Sequence, residues 1–188
     1  MEFLDDAAKW CNTGAPDVRS YLDPKPGMRF LEVGCSASLL SHGLGKWAST
    51  YYGVDISHAL IAAMKQYTQR SCLPIGGLYV AESARLPFAS GSIDIAALIG
   101  VLEYCTNDYV RQTVSELSRV LRSGSRVVFD IPNLDHPHSG MMFEMEQHLG
   151  RPQYRHDRKE FEGMLATQFC LEHVDESRVM LKYFCRAL

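Results

Sequence analysis

The chain alternates between short apolar runs and longer amphipathic stretches. Runs of strand length lie at 29–33, 50–55, 78–83, 93–99 and 126–131. Between them, apolar residues recur at helical spacing at 39–47, 57–70 and 106–121. Strands that alternate with helices, and that are apolar enough to be covered on both faces, are typical of a parallel sheet. The pattern therefore predicts a doubly wound, mainly parallel α/β sheet within a single domain, residues 1–188.

The two flanks of this core depart from the alternation. Residues 1–23 predict one or two short helices, which would cover a pocket or pad the sheet. Residues 132–165 hold prolines, methionines and histidines without a clean period, except for a helix expected at 161–169. The last 19 residues, 170–188, contain two strand-like runs and predict an antiparallel hairpin at the sheet edge. The expected sheet then has seven strands, mostly parallel.

Two polar or glycine-rich stretches are predicted to be breaks in the chain. The first, Pro74 to Gly77, would precede the third strand, and the second, Arg122 to Ser125, would precede the fifth. Thr106, Asn107 and Asp108 are residues that favour the start of a helix between the fourth and fifth strands.

Composition and charge restrict the partners. Nineteen Lys and Arg against 22 Asp and Glu give a net charge of -3, which offers no electrostatic case for nucleic acid or an anionic membrane. No apolar run approaches the roughly 20 residues of a spanning helix. The six cysteines are scattered without zinc-site spacing, so no metal is expected and the thiols should be reduced. We expect a cytoplasmic protein with a small-molecule partner and no membrane insertion; homo-oligomerisation stays open.

The stretch RFLEVGCSAS, residues 29–38, concentrates the candidate chemistry. Its apolar strand runs into small residues only, and a helix is predicted to open at Ser36 or Ser38. Such a turn lets a ligand approach the backbone, while the first amides of the helix supply hydrogen-bond donors and a positive dipole end. This is the form of a nucleotide-type pocket.

An acid follows at the end of the next strand. Asp55 comes 23 residues after Glu32, at the spacing that places a carboxylate beside the glycine turn in a strand-helix-strand unit. It would there accept two hydrogen bonds from a ribose diol. The alternative is that Asp55 caps the helix that begins near Ser57.

Four motifs in order resemble those of class I S-adenosylmethionine-dependent methyltransferases. FLEVGCSAS resembles the first motif and YYGVDIS the second, AESARLPFASGSIDIAALIGVLEY is similar to the third and fourth, and SELSRVLRSGSRVVFDIPN resembles the segment around the fifth strand. The resemblance covers about residues 25–131. It implies a Rossmann-like fold and in-line transfer of a methyl group from S-adenosylmethionine to an acceptor, leaving S-adenosylhomocysteine. Ser36 and Ser38 stand where the family has glycine.

The resemblance also implies which residues bind the cofactor. Those expected around its methionine end are Glu32, Gly34, Cys35, Ser36 and Ser38. Those expected around its ribose and adenine are Asp55, Ile56, Glu82 and Ser83. Those whose carbonyl groups would face the methionine ammonium are Ile99 and Gly100.

The sequence does not single out a catalytic residue. The sulfonium methyl group is already electrophilic, so an enzyme of this kind mainly aligns a nucleophile. Glu103 and Tyr104, just past the fourth strand, are candidates for a base or a hydrogen-bond donor, or else are packed and solvated. His136 and His138 follow the fifth strand and are candidates for deprotonating a hydroxyl group.

Three readings of the function stay open at this stage. The motif Asn-Pro-Pro-Tyr, found in many methyltransferases that act on nucleic-acid amino groups, is absent, and the stretch there reads IGVLEY, which favours a small-molecule acceptor. Ser36 and Ser38 allow a catalytically silent cofactor-binding subunit instead. A nicotinamide-dependent oxidoreductase would also use a turn and an acid, but this turn lacks two of the three expected glycines.

Overall fold

A computed structural model describes residues 16–35, 47–70 and 75–188 of the protein. Its strands are β1 (Arg29–Val33), β2 (Thr50–Asp55), β3 (Ile75–Val80), β4 (Ile93–Leu98), β5 (Leu121–Pro132), β6 (Phe169–Asp175) and β7 (Met180–Ala187). Its helices are α1 (Pro16–Leu22), α2 (His58–Arg70), α3 (Asn107–Val120), α4 (Ser139–His148) and α5 (Arg158–Ala166), with a 3-10 turn at Leu102–Tyr104. The helix predicted at 39–47 and the first part of the N-terminal cover lie outside the described residues.

The strands form one seven-stranded sheet in the order β3-β2-β1-β4-β5-β7-β6. The first five strands pair in parallel, and β7 pairs antiparallel with both β5 and β6. This confirms the prediction of a mostly parallel α/β sheet with an antiparallel C-terminal hairpin. From β1 to β3 the strands are added on one side of β1, and β4 and the later strands are added on the other side, so the strand order reverses between β1 and β4.

Apolar side chains cover both faces of the sheet, as the continuous apolar runs predicted. Successive residues of a strand point to opposite faces, so Phe30 packs with α1 and α2 while Leu31 packs with α3 and α5. The helix α3 begins as its capping residues predicted, because the Thr106 hydroxyl accepts a hydrogen bond from the Tyr109 amide at 3.3 Å. The core therefore holds β1 and β4 rigidly in the middle of the sheet.

The predicted boundaries of two strands were wrong. The third strand was expected at 78–83, but β3 begins at Ile75 and ends at Val80. Gly76 and Gly77 lie in the strand rather than break it, because the rings of Tyr52 and Tyr79 occupy the space where their side chains would stand. A glycine-rich stretch thus became part of an edge strand.

The polar stretch before the fifth strand also lies within a strand. β5 begins at Leu121, which pairs with Ile93, and the next paired residue is Arg126, opposite Ile95. The stretch from Arg122 to Ser125 is therefore a bulge in β5, where extra residues leave the ladder, and not a turn before it. The helix α4 was not predicted, since Phe143 is its single buried residue and leaves almost no apolar period.

Gly34, directly after β1, is packed closely against a side chain. It has a φ of +75°, and its amide donates to the Val54 carbonyl at 2.8 Å. A Cβ atom added there would lie 2.1 Å from Cγ2 of Val101. Only glycine fits this turn without strain.

Gly34→Ala is expected to destabilise the protein by about 2–5 kcal/mol, the sum of the cost of a positive φ and that of overpacking against Val101. The control is Gly124→Ala, where φ is +79° but nothing lies within 4 Å of the added Cβ. Urea unfolding of both variants measures the difference. Equal losses of unfolding free energy would contradict the clash with Val101.

Candidate functional site

A cavity of about 760 Å³ opens at the carboxyl ends of the parallel strands. Residues that follow β1, β2, β3 and β4 contribute to its wall, together with the first turn of α3 and one residue from the segment before α5. In open α/β sheets, ligands bind in the crevice at the carboxyl ends of the strands where the strand order reverses. The cavity lies at that place, beside the reversal between β1 and β4.

Seven of the thirteen predicted site residues that the structure describes meet in this cavity. The predicted residues that line it are Gly34, Asp55, Ile56, Glu82, Ser83, Gly100 and Tyr104. The predicted residues that do not line it are Glu32, Cys35, Ile99, Glu103, His136 and His138. Ser36 and Ser38 lie outside the described residues, so their role stays a prediction.

Asp55 ends β2 with its carboxyl group at the cavity. Its Oδ1 accepts a hydrogen bond from the Ser57 amide at 2.9 Å. Ser57 in turn caps α2, since its hydroxyl accepts from the Leu60 amide at 3.2 Å. Burial raises the pKa of Asp55, and the hydrogen bond from Ser57 partly opposes this rise. Because Ser57 provides the cap, the Asp55 carboxylate stays in the cavity wall as a hydrogen-bond acceptor.

Beside Asp55, the wall is apolar on one side and carries an acid on the other. The Ile56 side chain is 70% exposed and lines the cavity. Glu82 and Ser83 follow β3, and the Ser83 hydroxyl is engaged with the Thr113 hydroxyl at 2.8 Å. A ligand would therefore meet the exposed face of Ile56, the Glu82 carboxylate and the Ser83 backbone.

Glu32 and Cys35 stand behind the cavity wall. The Glu32 carboxylate is 2% exposed and accepts a hydrogen bond from the Tyr51 hydroxyl at 2.5 Å. The Cys35 side chain is fully buried, with its sulfur 3.8 Å from that of Met64, and burial raises the pKa of its thiol. Their side chains thus support the turn from inside the protein.

Gly100, after β4, lines the cavity with backbone atoms only. Its φ is +72°, and its amide donates to Oδ1 of Asp130 at 2.8 Å. Ile99, next to it, packs instead against the core on the α1 and α2 face. Of the two predicted residues, Gly100 is the one that borders the space a ligand would fill.

The two acceptor-side candidates beyond β4 differ in their surroundings. Tyr104 lines the cavity, and its hydroxyl donates to Oε2 of Glu146 at 3.1 Å. Burial, together with the charge of Glu103, raises the pKa of Tyr104 to about 12. Glu103 does not line the cavity, and its Oε2 atom is screened from solvent and has no hydrogen-bond partner among the described residues.

The two candidate histidines do not join this site. His136 and His138 line a separate cavity of about 570 Å³ together with three methionines of α4. The His138 amide donates to Nδ1 of His136 at 3.1 Å. The structure therefore does not bring these imidazoles to the cavity that holds Asp55, and a catalytic role for them stays a prediction.

Several residues of the cavity wall were not predicted. They are His58, Val80, Ala81, Val101, Cys105, Thr106, Tyr109 and Tyr154. Tyr109 could have been found, because the predicted cap at Thr106 places it in the first turn of a helix at the sheet edge. Tyr154 carried no signal, since it lies in the aperiodic segment 149–157 and reaches the site by a hydrogen bond from its amide to the Glu103 carbonyl, 2.8 Å.

Known proteins resemble this chain in sequence. A family model described as "Methyltransferase domain" matches residues 31–129. An uncharacterized 37.1 kDa protein in a transposon of Streptomyces fradiae is 31% identical over 117 residues, which cover 61% of this chain and 33% of that protein. The ubiquinone biosynthesis O-methyltransferase of Methylococcus capsulatus is 22% identical over 107 residues, which cover 57% of this chain and 44% of the enzyme. The match thus spans less than half the length of these curated relatives.

Solved structures resemble it in fold. A Pyrococcus horikoshii OT3 protein superposes with a TM-score of 0.80 at 16% identity, covering 96% of this chain and 90% of its own. Geranyl diphosphate C-methyltransferase of Streptomyces coelicolor A3(2), solved with Mg²⁺, geranyl diphosphate and S-adenosyl-L-homocysteine, gives a TM-score of 0.76 at 15% identity, covering 94% and 77%. At such identities the likeness is one of fold. Among the described helices, none combines the length and the apolar character needed to cross a membrane.

The isosteric variant Glu103→Gln is expected to stabilise the protein at high pH more than at low pH. Burial, then the charges of Asp130 and Glu146, raise the pKa of Glu103 above its ordinary value. A carboxyl group whose pKa is raised by folding favours the native state while it is protonated, and this contribution is lost as pH rises through the raised pKa. Thermal unfolding between pH 5 and pH 9 measures it. Parallel melting-temperature profiles for both proteins would contradict the assigned burial of charge.

Proposed function

The chain belongs to the methyltransferase-domain family of class I S-adenosylmethionine-dependent methyltransferases, and on this premise we propose that it transfers a methyl group from S-adenosylmethionine to a small-molecule acceptor. One observation carries the proposal. The carboxyl ends of four parallel strands deliver Gly34, Asp55, Glu82 and Gly100 to a single cavity. These are four of the positions to which the sequence motifs assign the cofactor.

The chemistry of the wall suits this cofactor. Asp55 offers a carboxylate to the two hydroxyl groups of a ribose, and the exposed side chain of Ile56 offers an apolar surface to a flat ring. Gly100 offers backbone without a side chain at the cavity. Among the described residues that line the cavity, none is Lys or Arg. An acidic wall favours a cationic nucleoside over the pyrophosphate of a dinucleotide.

The bound cofactor would supply an electrophilic methyl group on a sulfonium sulfur. The protein's part is then to hold an acceptor in line with that group and to exclude water. Tyr104, Tyr109 and Tyr154 line the cavity and belong to the 3-10 turn, to α3 and to the segment before α5. We assign the acceptor to this tyrosine-lined side. A cavity of about 760 Å³ is of the size that holds small molecules.

We further propose that the stretch 132–165 selects the acceptor. Tyr154 comes from this stretch, and so does Glu146, which binds the Tyr104 hydroxyl. Loops held by a rigid scaffold commonly carry specificity. The cytoplasmic location and the oligomeric state stay predictions.

Calorimetric titration with S-adenosylhomocysteine tests cofactor binding. We expect binding by the native protein and a loss of about tenfold or more in Asp55→Ala, because hydrogen bonds to a charged group contribute about 1.5–3 kcal/mol each. Asp55→Asn is expected to fall between the two, because an amide oxygen can still accept from Ser57. Glu144→Ala, an exposed acid of α4, is the control and should bind normally. Equal affinity in Asp55→Ala would remove Asp55 from the ribose site.

Activity requires a second measurement. Transfer of tritiated methyl from S-adenosylmethionine to a panel of phenols, catechols, amines and thiols is expected for at least one class. Cofactor binding without transfer to any member, including protein and nucleic-acid acceptors, would favour a silent cofactor-binding subunit. Binding of NADH in place of S-adenosylhomocysteine would overturn the proposal.

A further inference from the structure

Two carboxyl groups converge on Gly100 from inside the protein. Oδ1 of Asp130, in β5, accepts the Gly100 amide at 2.8 Å. Oε1 of Glu103, in the 3-10 turn, lies 3.9 Å from the point where a Cβ of Gly100 would stand. Gly100 itself borders the cavity. Gly100 therefore separates the cavity from both carboxyl groups. A charged group bound beside Gly100 would interact with both of them.

These carboxyl groups are poorly solvated. Asp130 is 2% exposed, and Oε2 of Glu103 is screened from solvent with no hydrogen-bond partner in the described part of the chain. Burial raises the pKa of both groups, and the charge of Asp130 adds to the rise for Glu103. Two carboxylates that share a buried site do not both ionise readily, so one of them retains its proton.

The surrounding charges indicate which of the two keeps the proton. Lys182 stands opposite Asp130 in the β5-β7 ladder, is 1% exposed, and lowers the pKa of Asp130. The Gly100 amide also favours the ionised form of Asp130. Among the described residues, Oε2 of Glu103 has no donor, and a backbone hydrogen bond at Glu103 itself lowers its pKa without reversing the rise from burial. Asp130 is therefore the ionised member of the pair and Glu103 the protonated one.

The other groups near Glu103 do not reverse this assignment. Glu146, from α4, adds a negative charge that raises the pKa of Glu103 further. Arg151, after α4, opposes it, but the Arg151 guanidinium is paired with Glu146 at 3.2 Å. The Tyr104 hydroxyl is likewise bound to Glu146. Arg151, the cation that lowers the pKa of Glu103 among the described residues, is therefore already engaged by another carboxylate, and the ammonium group of a ligand would add a further positive charge.

We propose that Glu103 is the proton-bearing half of a counter-charge for the cationic amino-acid end of the ligand. In the free protein its carboxyl group is neutral. When the ligand's ammonium group binds at Gly100, the O–H bond of Glu103 breaks, the proton passes to solvent, and the pair Glu103 and Asp130 becomes doubly negative. This inference rests on the proposed function, since it is S-adenosylmethionine or its product that brings the ammonium group.

Proton release on binding tests the inference. S-adenosylhomocysteine is titrated calorimetrically at pH 7 in phosphate and in Tris, and the difference in observed heat gives the number of protons released. We expect roughly half a proton per ligand more from the native protein than from Glu103→Gln, because a nearby opposite charge lowers a carboxyl pKa by about 1–3 units. The amino group of the ligand contributes equally to both proteins, so the difference reports Glu103.

Two controls sharpen the measurement. 5′-Deoxy-5′-methylthioadenosine lacks the amino-acid end and is expected to release no proton through Glu103. Asp130→Asn removes the second charge, so Glu103 ionises more readily in the free protein and the release should shrink. This variant also serves if Glu103→Gln does not fold.

Each outcome decides the matter. Binding of S-adenosylhomocysteine with equal proton release from the native protein and Glu103→Gln would overturn this inference and leave the proposed function intact. Equal release with 5′-deoxy-5′-methylthioadenosine would also overturn it, because the ammonium group would then have no part. Absence of S-adenosylhomocysteine binding to the native protein would overturn the proposed function, and this inference with it.

Discussion

Parallel hydrogen bonding of β1 to neighbours on both sides is the constraint on which the site depends. β1 pairs with β2 on one edge and with β4 on the other, so the connections leave in opposite directions and open a crevice between them. The turn after β1 must be narrow to keep this geometry. The amides of Gly34 and Cys35 both donate to the Val54 carbonyl, at 2.8 and 3.2 Å, and tie that turn to the end of β2. The acids and glycines that follow the strands meet because their strands are held in this order.

The parts of the fold that were predictable are those with a strong physical signature. A strand covered on both faces has to be apolar throughout, which marked β1 and β4, and Asp55 and Gly100 could be placed because they end such strands. The edge strand β3 lacks this signature. Its glycines were interpreted as a break in the chain. Tyrosine rings fill the space beside them, and the sequence pattern of the strand does not predict this packing.

The other unpredicted features depend on contacts distant in sequence. Tyr154 reaches the cavity through a backbone hydrogen bond to Glu103, 51 residues earlier in the chain. The surroundings of Glu103 depend on Asp130 in β5, Glu146 in α4 and Arg151 beyond it. Such contacts follow from the strand order of the sheet and not from the spacing of residues in the sequence. The sequence therefore identified Glu103 as a candidate but did not predict which groups surround it. The residues of the first turn, Ser36 and Ser38, are still known only from sequence.

The segment 149–157 is held beside the cavity by the hydrogen bonds of one buried imidazole. His156 is 3% exposed, with Nε2 at 2.8 Å from the Leu102 carbonyl and Nδ1 at 2.8 Å from Oδ1 of Asn107. The side-chain NH₂ group of Asn107 donates a hydrogen bond to Oε2 of Glu160, so its Oδ1 and the Leu102 carbonyl are the two acceptors that face the ring. The ring therefore lies between the 3-10 turn and the first turn of α3, two residues after Tyr154 in the chain. This one side chain therefore joins three separate stretches of the chain, and the enclosure of the tyrosine-lined side depends on a residue that does not itself line the cavity.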